Sequence, residues 1–259
     1  IKHYLIQMEN LQTPEITPNI PYDIVVLPSQ GIFYKNKKKT LKVAYLTAAD
    51  ENILTSPNLS ESGELMDTLL SQKVLDKDVV VKNLAECDKQ AIFVFLRNTA
   101  FGPSYTFKLV DPETSKEFEH TEDLSVLKTK EISVKPDNEG LFDYLLPTSG
   151  KKCKLRLLSP EDTKILSELE QSYKDMKIKP MATKRLEKSV IELDGERDPI
   201  MLSNAIHTLP LKDAQDIKKF LKSVEPGLDV GKVAKSPSGV DVPYDINFGL
   251  NFFRPFFGL

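Results

Sequence analysis

The chain has 259 residues, 40% of them hydrophobic and 28% charged, with a formal net charge of −3. That balance fits one large or two ordinary soluble domains and carries no electrostatic footprint for nucleic acid. No apolar run approaches the roughly 20 residues that a membrane-spanning helix needs, and no signal-like leader is read in the opening residues. The two cysteines, Cys87 and Cys153, and the three histidines, His3, His120 and His207, lie far apart in sequence. The sequence therefore predicts no zinc site, no disulfide framework and no cofactor.

Residues 1–20 read as an N-terminal arm. Ile24–Leu27 is strand-like and ends at a turn marked by Pro28 and Gly31. Lys35-Asn36-Lys37-Lys38-Lys39 follows as a solvated loop tip, with docking onto an acidic partner as the lesser reading. A second strand covers Leu41–Leu46. Thr47 then has the chemistry of a helix N-cap, with Asp50 three residues on completing a capping box in which Asp replaces Glu. A short helix stops before Ser56-Pro57. A second helix carries Leu65, Met66, Leu69, Leu70 and Val74, and a third carries Ala91, Ile92, Phe95 and Leu96, closed by Gly102. Tyr105, Phe107 and Leu109 alternate into a hairpin turn at Asp111–Ser115.

After Pro136-Asp137-Asn138-Glu139-Gly140 the pattern recurs. Leu27-Pro28-Ser29-Gln30-Gly31 is matched by Leu146-Pro147-Thr148-Ser149-Gly150, and Leu41–Leu54 by Cys153–Leu166. The third-helix segment Leu84–Arg97 is matched by Leu209–Lys222. Ser159 and Asp162 repeat the cap, with Pro160 at the first helical position. Ile165, Leu166, Leu169, Tyr173 and Met176 extend the helix after it. Ala214, Ile217, Phe220, Leu221 and Val224 form the later helix, with Gly227 as its stop. Ser236-Pro237-Ser238-Gly239 turns a closing hairpin.

Leu27 and Leu146 are 119 positions apart, Leu54 and Leu166 112, and Leu96 and Leu221 125. The first copy thus has seven extra residues around its lysine loop, and the second has thirteen in its middle. Length changes confined to loops are what a duplicated domain tolerates. The predicted class is α+β: two tandem copies of a strand-pair, helices and β-hairpin unit. Residues 21–135 form the first and 136–259 the second, with an aromatic C-terminal tail.

Three stretches carry a likeness. They are Leu27–Tyr34, Leu46–Pro57, and Ile92–Arg97 with Phe101-Gly102 and Tyr105; the aromatic C-terminus Phe252-Phe253-Arg254-Pro255-Phe256 continues it. In these the chain resembles the baseplate hub subunit, or hub assembly chaperone, family of T-even-type contractile-tailed bacteriophages, over most of residues 21–257. The resemblance implies a non-enzymatic structural component of the virion tail baseplate, assembled in the host cytoplasm, whose partners are other tail and baseplate proteins. It also admits a transient assembly chaperone absent from the finished particle. In some relatives the late hairpin carries a cysteine metal knuckle. Here that turn is Ser236-Pro237-Ser238-Gly239, so zinc is not carried over.

No Walker loop, G-x-G-x-x-G run or G-x-S-x-G elbow is present. Asp194-Gly195 reads as a turn, Cys87 and Cys153 as packed thiols, and the paired Asp50 and Asp162 as caps rather than catalytic carboxylates. A hydrolase using carboxylates whose spacing the sequence hides is the alternative from another class.

The tail, residues 248–259, holds five of the chain's thirteen phenylalanines. Phe252, Phe253, Arg254, Phe256 and Phe257 are expected to contact a neighbouring subunit, against the competing reading that the tail folds back and completes the second unit's core. No nucleic acid or membrane span is expected.

Overall fold

The computed structural model describes residues 21–253 apart from 57, 60–63 and 133. The N-terminal arm and Arg254, Phe256 and Phe257 lie outside the described residues. The fold is α+β, with small antiparallel sheets among helices.

In the first unit β1 (Tyr22–Val26) pairs antiparallel with β2 (Thr40–Ala44), Tyr22 opposite Ala44 and Val26 opposite Thr40. Helix α1 (Ala48–Leu54) and helix α2 (Leu65–Lys73) follow. Helix α3 (Glu86–Phe101) stops at Gly102, whose φ of 79° suits a residue without Cβ. The hairpin of β3 (Ser104–Val110) and β4 (Glu117–Asp123) closes the unit.

In the second unit β5 (Phe142–Leu145) pairs with β6 (Lys152–Leu155). Then come α4 (Pro160–Ser172), α5 (Met181–Ser189), β7 (Val190–Leu193), α6 (Pro199–His207) and α7 (Leu211–Val224). The hairpin of β8 (Gly231–Lys235) and β9 (Asp241–Asp245) ends the order.

Strand pair, capped helix, further helices and hairpin therefore occur twice in the same sequence order. The likeness extends to a feature that the sequence pattern hides. After α5 the chain pairs β7 with β6, joining Leu155 to Val190. After α2 the corresponding residue, Val74, makes a single antiparallel bridge to Val43 on β2. Counted from that correspondence, four of the second unit's thirteen extra residues lie before Val190, where α4 runs longer than α1, and the other nine lie where the third strand is lengthened and α6 is added. Asp194 and Gly195 make its tight turn at φ 55° and 86°.

Two hydrophobic cores result. The first gathers Leu27, Leu41, Val43, Leu69, Leu70, Ile92, Phe93 and Leu96, and the second Phe142, Leu146, Leu155, Val190, Ile206 and Ile217. Ile92 and Leu96 are buried as their spacing predicts, but on that helix Phe93 is the buried phenylalanine and Phe95 lies half-exposed.

Three expectations are corrected. Helix α4 ends at Ser172, so Tyr173 is its C-cap and Met176 lies beyond it, half-exposed at 51%. Helix α7 ends at Val224, ahead of Gly227, because Pro226 cannot continue it. The third correction concerns the module boundary. Residues near the C-terminus do not complete the second core: Ile246, Phe252 and Phe253 are buried in the first, with Val230, Tyr244 and Phe248 packed against them.

The second hairpin thus reaches back across the molecule. Lys130 N donates to Gly227 O (2.9 Å), Asp229 N donates to Lys128 O (2.8 Å), and Thr129 bridges Leu228. Ser238 Oγ donates to Asp111 (2.8 Å), tying the two hairpin turns together. Tyr244 lies 5.2 Å from the Phe107 ring, and its hydroxyl donates to Glu122 (2.5 Å) and meets His120 Nε2 (3.0 Å).

Candidate functional site

Both helix N-termini have capping-box geometry. In the second unit the exchange is reciprocal: Asp162 N donates to Ser159 Oγ (3.1 Å), and Ser159 N donates to Asp162 Oδ2 (3.0 Å). In the first, Thr47 N (2.6 Å) and Thr47 Oγ1 (2.8 Å) both donate to Asp50 Oδ2, while Asp50 N goes to the Thr47 carbonyl.

Each aspartate also holds a cation that the sequence did not announce. Lys73, 4% exposed at the end of α2, meets Asp50 at 2.5 Å, and Arg156 meets Asp162 at 2.5 Å, its guanidinium fork spanning both oxygens. Burial pushes the Asp162 carboxyl up, but Arg156 and the Ser159 amide and hydroxyl outweigh it and hold the group at about 2. The balance at Asp50 has the same sign: burial is outweighed by Lys73 and Thr47. The two carboxylates are occupied in structural pairs, Asp50 tying α1 to the end of α2 and Asp162 tying α4 to the residue that follows β6.

A second repeated arrangement is absent from the sequence reading. Asp88 and Asp213, each at the third position of a late helix, are fully buried. Asp88 accepts from Ser29 N (2.9 Å), Ser29 Oγ (2.6 Å) and Tyr34 OH (2.5 Å). Asp213 accepts from Thr148 N (2.8 Å) and Ser149 N (3.0 Å). Each L-P-x-x-G turn is therefore clamped by an aspartate from a helix far along the chain. The signal was present as D-K-Q-A-I beside D-A-Q-D-I, but a sequence match does not say what an aspartate faces.

The clamp makes the 31–39 loop an ordered structure. Tyr34 OH bonds Asp88 and accepts from Ala85 N (2.9 Å), and Lys38 Nζ meets Asp76 and Asp78 at 2.6 Å each. A Cβ on Gly31 would lie 2.6 Å from the Lys37 carbonyl, so glycine is required there.

This loop faces α4 of the second unit across a cleft of two cavities, about 590 and 380 Å³. Phe33, Lys82, Leu84, Pro160 and Lys164 line both, which makes the cleft continuous.

Of the expected partner-binding residues, Phe252 and Phe253 are fully buried and unavailable to a neighbour. They pack edge-to-face with Tyr105 and Phe93, at 5.1 and 5.8 Å. With them the structure gathers Arg97, 1% exposed, whose guanidinium lies 4.9, 5.5 and 5.8 Å from the rings of Tyr105, Phe252 and Phe101. One hydrogen bond, from Nη2 to Ser104 O (3.0 Å), supplements the three rings, while Nε and Nη1 have no hydrogen-bond partner.

Cys153 is buried against Tyr144 O and Cys87 is half-buried, and burial raises both thiols, Cys153 to about 12. Among the described residues, no group of three His, Cys, Asp or Glu side chains converges as a metal site, and no helix is long and apolar enough to cross a membrane.

The outward face of β1 is apolar. Tyr22, Ile24 and Val26 alternate along β1 and are 49, 59 and 61% exposed, while Val25 between them points into the core. Comparison with protein families, with curated proteins and with solved structures finds no match for the chain.

Proposed function

We propose that the chain is a non-enzymatic structural component of a contractile-tailed phage baseplate hub that binds neighbouring tail subunits. The observation that carries the binding part is the outward face of β1. Three large apolar side chains in a row on a strand hydrogen-bonded to β2 form a surface suited to protein contact. The carboxylates support the non-enzymatic part: among the described residues, every one whose pKa is displaced is displaced downward, as in structural ion pairs and caps. A general acid held near neutral pH would show the opposite displacement. The phage setting rests on the resemblance of the turn, cap and third-helix segments.

Mass spectrometry of purified tails and of assembly intermediates tests the proposal, with the Ile24→Glu/Val26→Glu chain in parallel. The expected result is that the native chain is present in finished tails and the folded double variant is not. A chain found only in intermediates is an assembly chaperone. A chain found in neither overturns the reading.

A further inference from the structure

We infer that residues 137–226 form a body inserted into the first unit, and that this body swings on a two-stranded neck, opening and closing the cleft between the 31–39 loop and α4. The inference rests neither on the phage setting nor on the β1 face.

The first support is the neck. The chain leaves the first unit at Lys128–Lys130 and returns to it at Gly227–Asp229. There the two runs lie antiparallel: Lys130 N donates to Gly227 O (2.9 Å), Asp229 N donates to Lys128 O (2.8 Å), and Thr129 is bridged to Leu228. Both crossings between the bodies thus lie side by side at one place. That is the arrangement of a hinge, in which a few residues absorb the backbone rotation. Lys128, Thr129 and Lys130 are exposed, and a Cβ on Gly227 would meet nothing closer than the Lys130 side chain at 3.8 Å.

The second support is the independence of the two cores. The first draws its side chains from residues 25–127 and 230–253, the second from 132–224, and no residue belongs to both. Every extensive packing of one element on another falls within one body. Among the described residues, no backbone hydrogen bond joins 137–226 to 21–127 or 230–253, and the ion pairs of α4 and α5 stay within their own body. Between the facing walls lie the cavities of about 590 and 380 Å³. Bodies that share no large apolar interface move relative to each other.

The third support is the place of the cleft relative to the neck. Glu225 and Pro226, which adjoin the neck, line only the smaller cavity, whereas Lys35 and Glu161 line only the larger. Rotation about the neck therefore moves the walls of the larger cavity most. Each wall travels with its own body. Tyr34 and Lys38 fasten the loop to the first through Asp88, Asp76 and Asp78, and Arg156 fastens α4 to the second through Asp162. Phe33, which lines both cavities, is covered as the cleft closes and uncovered as it opens.

The experiment uses the full chain. With Cys87→Ala and Cys153→Ala in place, nitroxide labels are set in pairs and their separations read by double electron–electron resonance. Lys35→Cys/Glu161→Cys spans the larger cavity and Glu86→Cys/Glu168→Cys the smaller. Lys35→Cys/Glu119→Cys lies within the first body and Glu161→Cys/Lys218→Cys within the second; all these positions are exposed. The distance distribution across the larger cavity should be about twice as wide as either within-body distribution, with the smaller cavity between them. Any other order of widths overturns the inference.

A second measurement uses the native chain and does not depend on the labelled variants folding. Residual dipolar couplings from 21–127 with 230–253, and those from 137–226, should require alignment tensors of different magnitude. A single tensor that fits both bodies overturns the inference.

Discussion

Asp88→Ala removes the carboxylate on which the first turn is hung. Three close donors lose their acceptor, Ser29 N, Ser29 Oγ and Tyr34 OH at 2.9, 2.6 and 2.5 Å, and the Cys87 thiol loses a weak contact at 3.8 Å. Ser29 is 3% exposed, so water does not readily replace what it loses. Hydrogen bonds to a charged group are worth about 1.5–3 kcal/mol each, and stranded buried donors add to the loss. Shared among three donors in one network, the expected destabilisation is about 3–5 kcal/mol, a large part of a typical domain's stability.

Asp213→Ala breaks the equivalent clamp, but its two donors, the amides of Thr148 and Ser149, belong to exposed residues that water can reach. Its effect should be clearly smaller. Urea melts followed by far-UV circular dichroism measure both; the chain has no tryptophan to report instead. Burial and Asp88 together raise the Tyr34 phenol, so in Asp88→Ala that phenol should also titrate lower by ultraviolet absorbance. An unchanged midpoint for Asp88→Ala, or a larger shift for Asp213→Ala, refutes the reasoning.

Ser159→Ala should destabilise by about 0.5–2 kcal/mol and more than Thr47→Ala, since only Ser159 accepts from its helix's third amide in a direct bond; matched chemical melts check the order. Asp162 has a folded pKa of about 2 against an unfolded value near 3.9, so its contribution is full above about pH 4 and is lost as pH falls toward 2. Native and Asp162→Asn melts across that window should converge by about 1–2 kcal/mol after allowance for solvent screening. Phe252→Ala and Phe253→Ala should each cost about 3–5 kcal/mol in melting experiments, as fully buried rings do, and deletion of residues 252–259 should leave the first unit unfolded rather than folded but unable to dock.

Local chemistry was legible in the sequence where a residue acts on its near neighbours. The caps at Thr47/Asp50 and Ser159/Asp162, the glycine turns and the hairpin alternation all depend on spacing of a few positions, and the repeat made each visible twice. What the sequence hid was long-range pairing. Asp88 reaches Ser29 across 59 positions, and Ser238 reaches Asp111 across 127. Strand β7 escaped notice because four residues, V-I-E-L, directly follow a helix and are too short to show a period. Phe252 and Phe253 escaped for a related reason: an apolar run shows that something must cover it, and for these two the fold supplies a cover from the other unit.

That cover follows from the weakness of the hairpins. A two-stranded ribbon alone is marginal in water, and β3–β4 and β8–β9 are each two-stranded sheets with no further strand. Set against each other they share Phe107, His120 and Tyr244, while Asp111 fastens the two turns. Each ribbon so gains the apolar partner it lacks. The same closure brings Phe252 onto Arg97, whose charge faces three rings instead of a carboxylate and holds only while the tail stays in place. The linker at 136–140 is therefore a boundary of sequence and not of packing, because the chain crosses it and later returns to the first core.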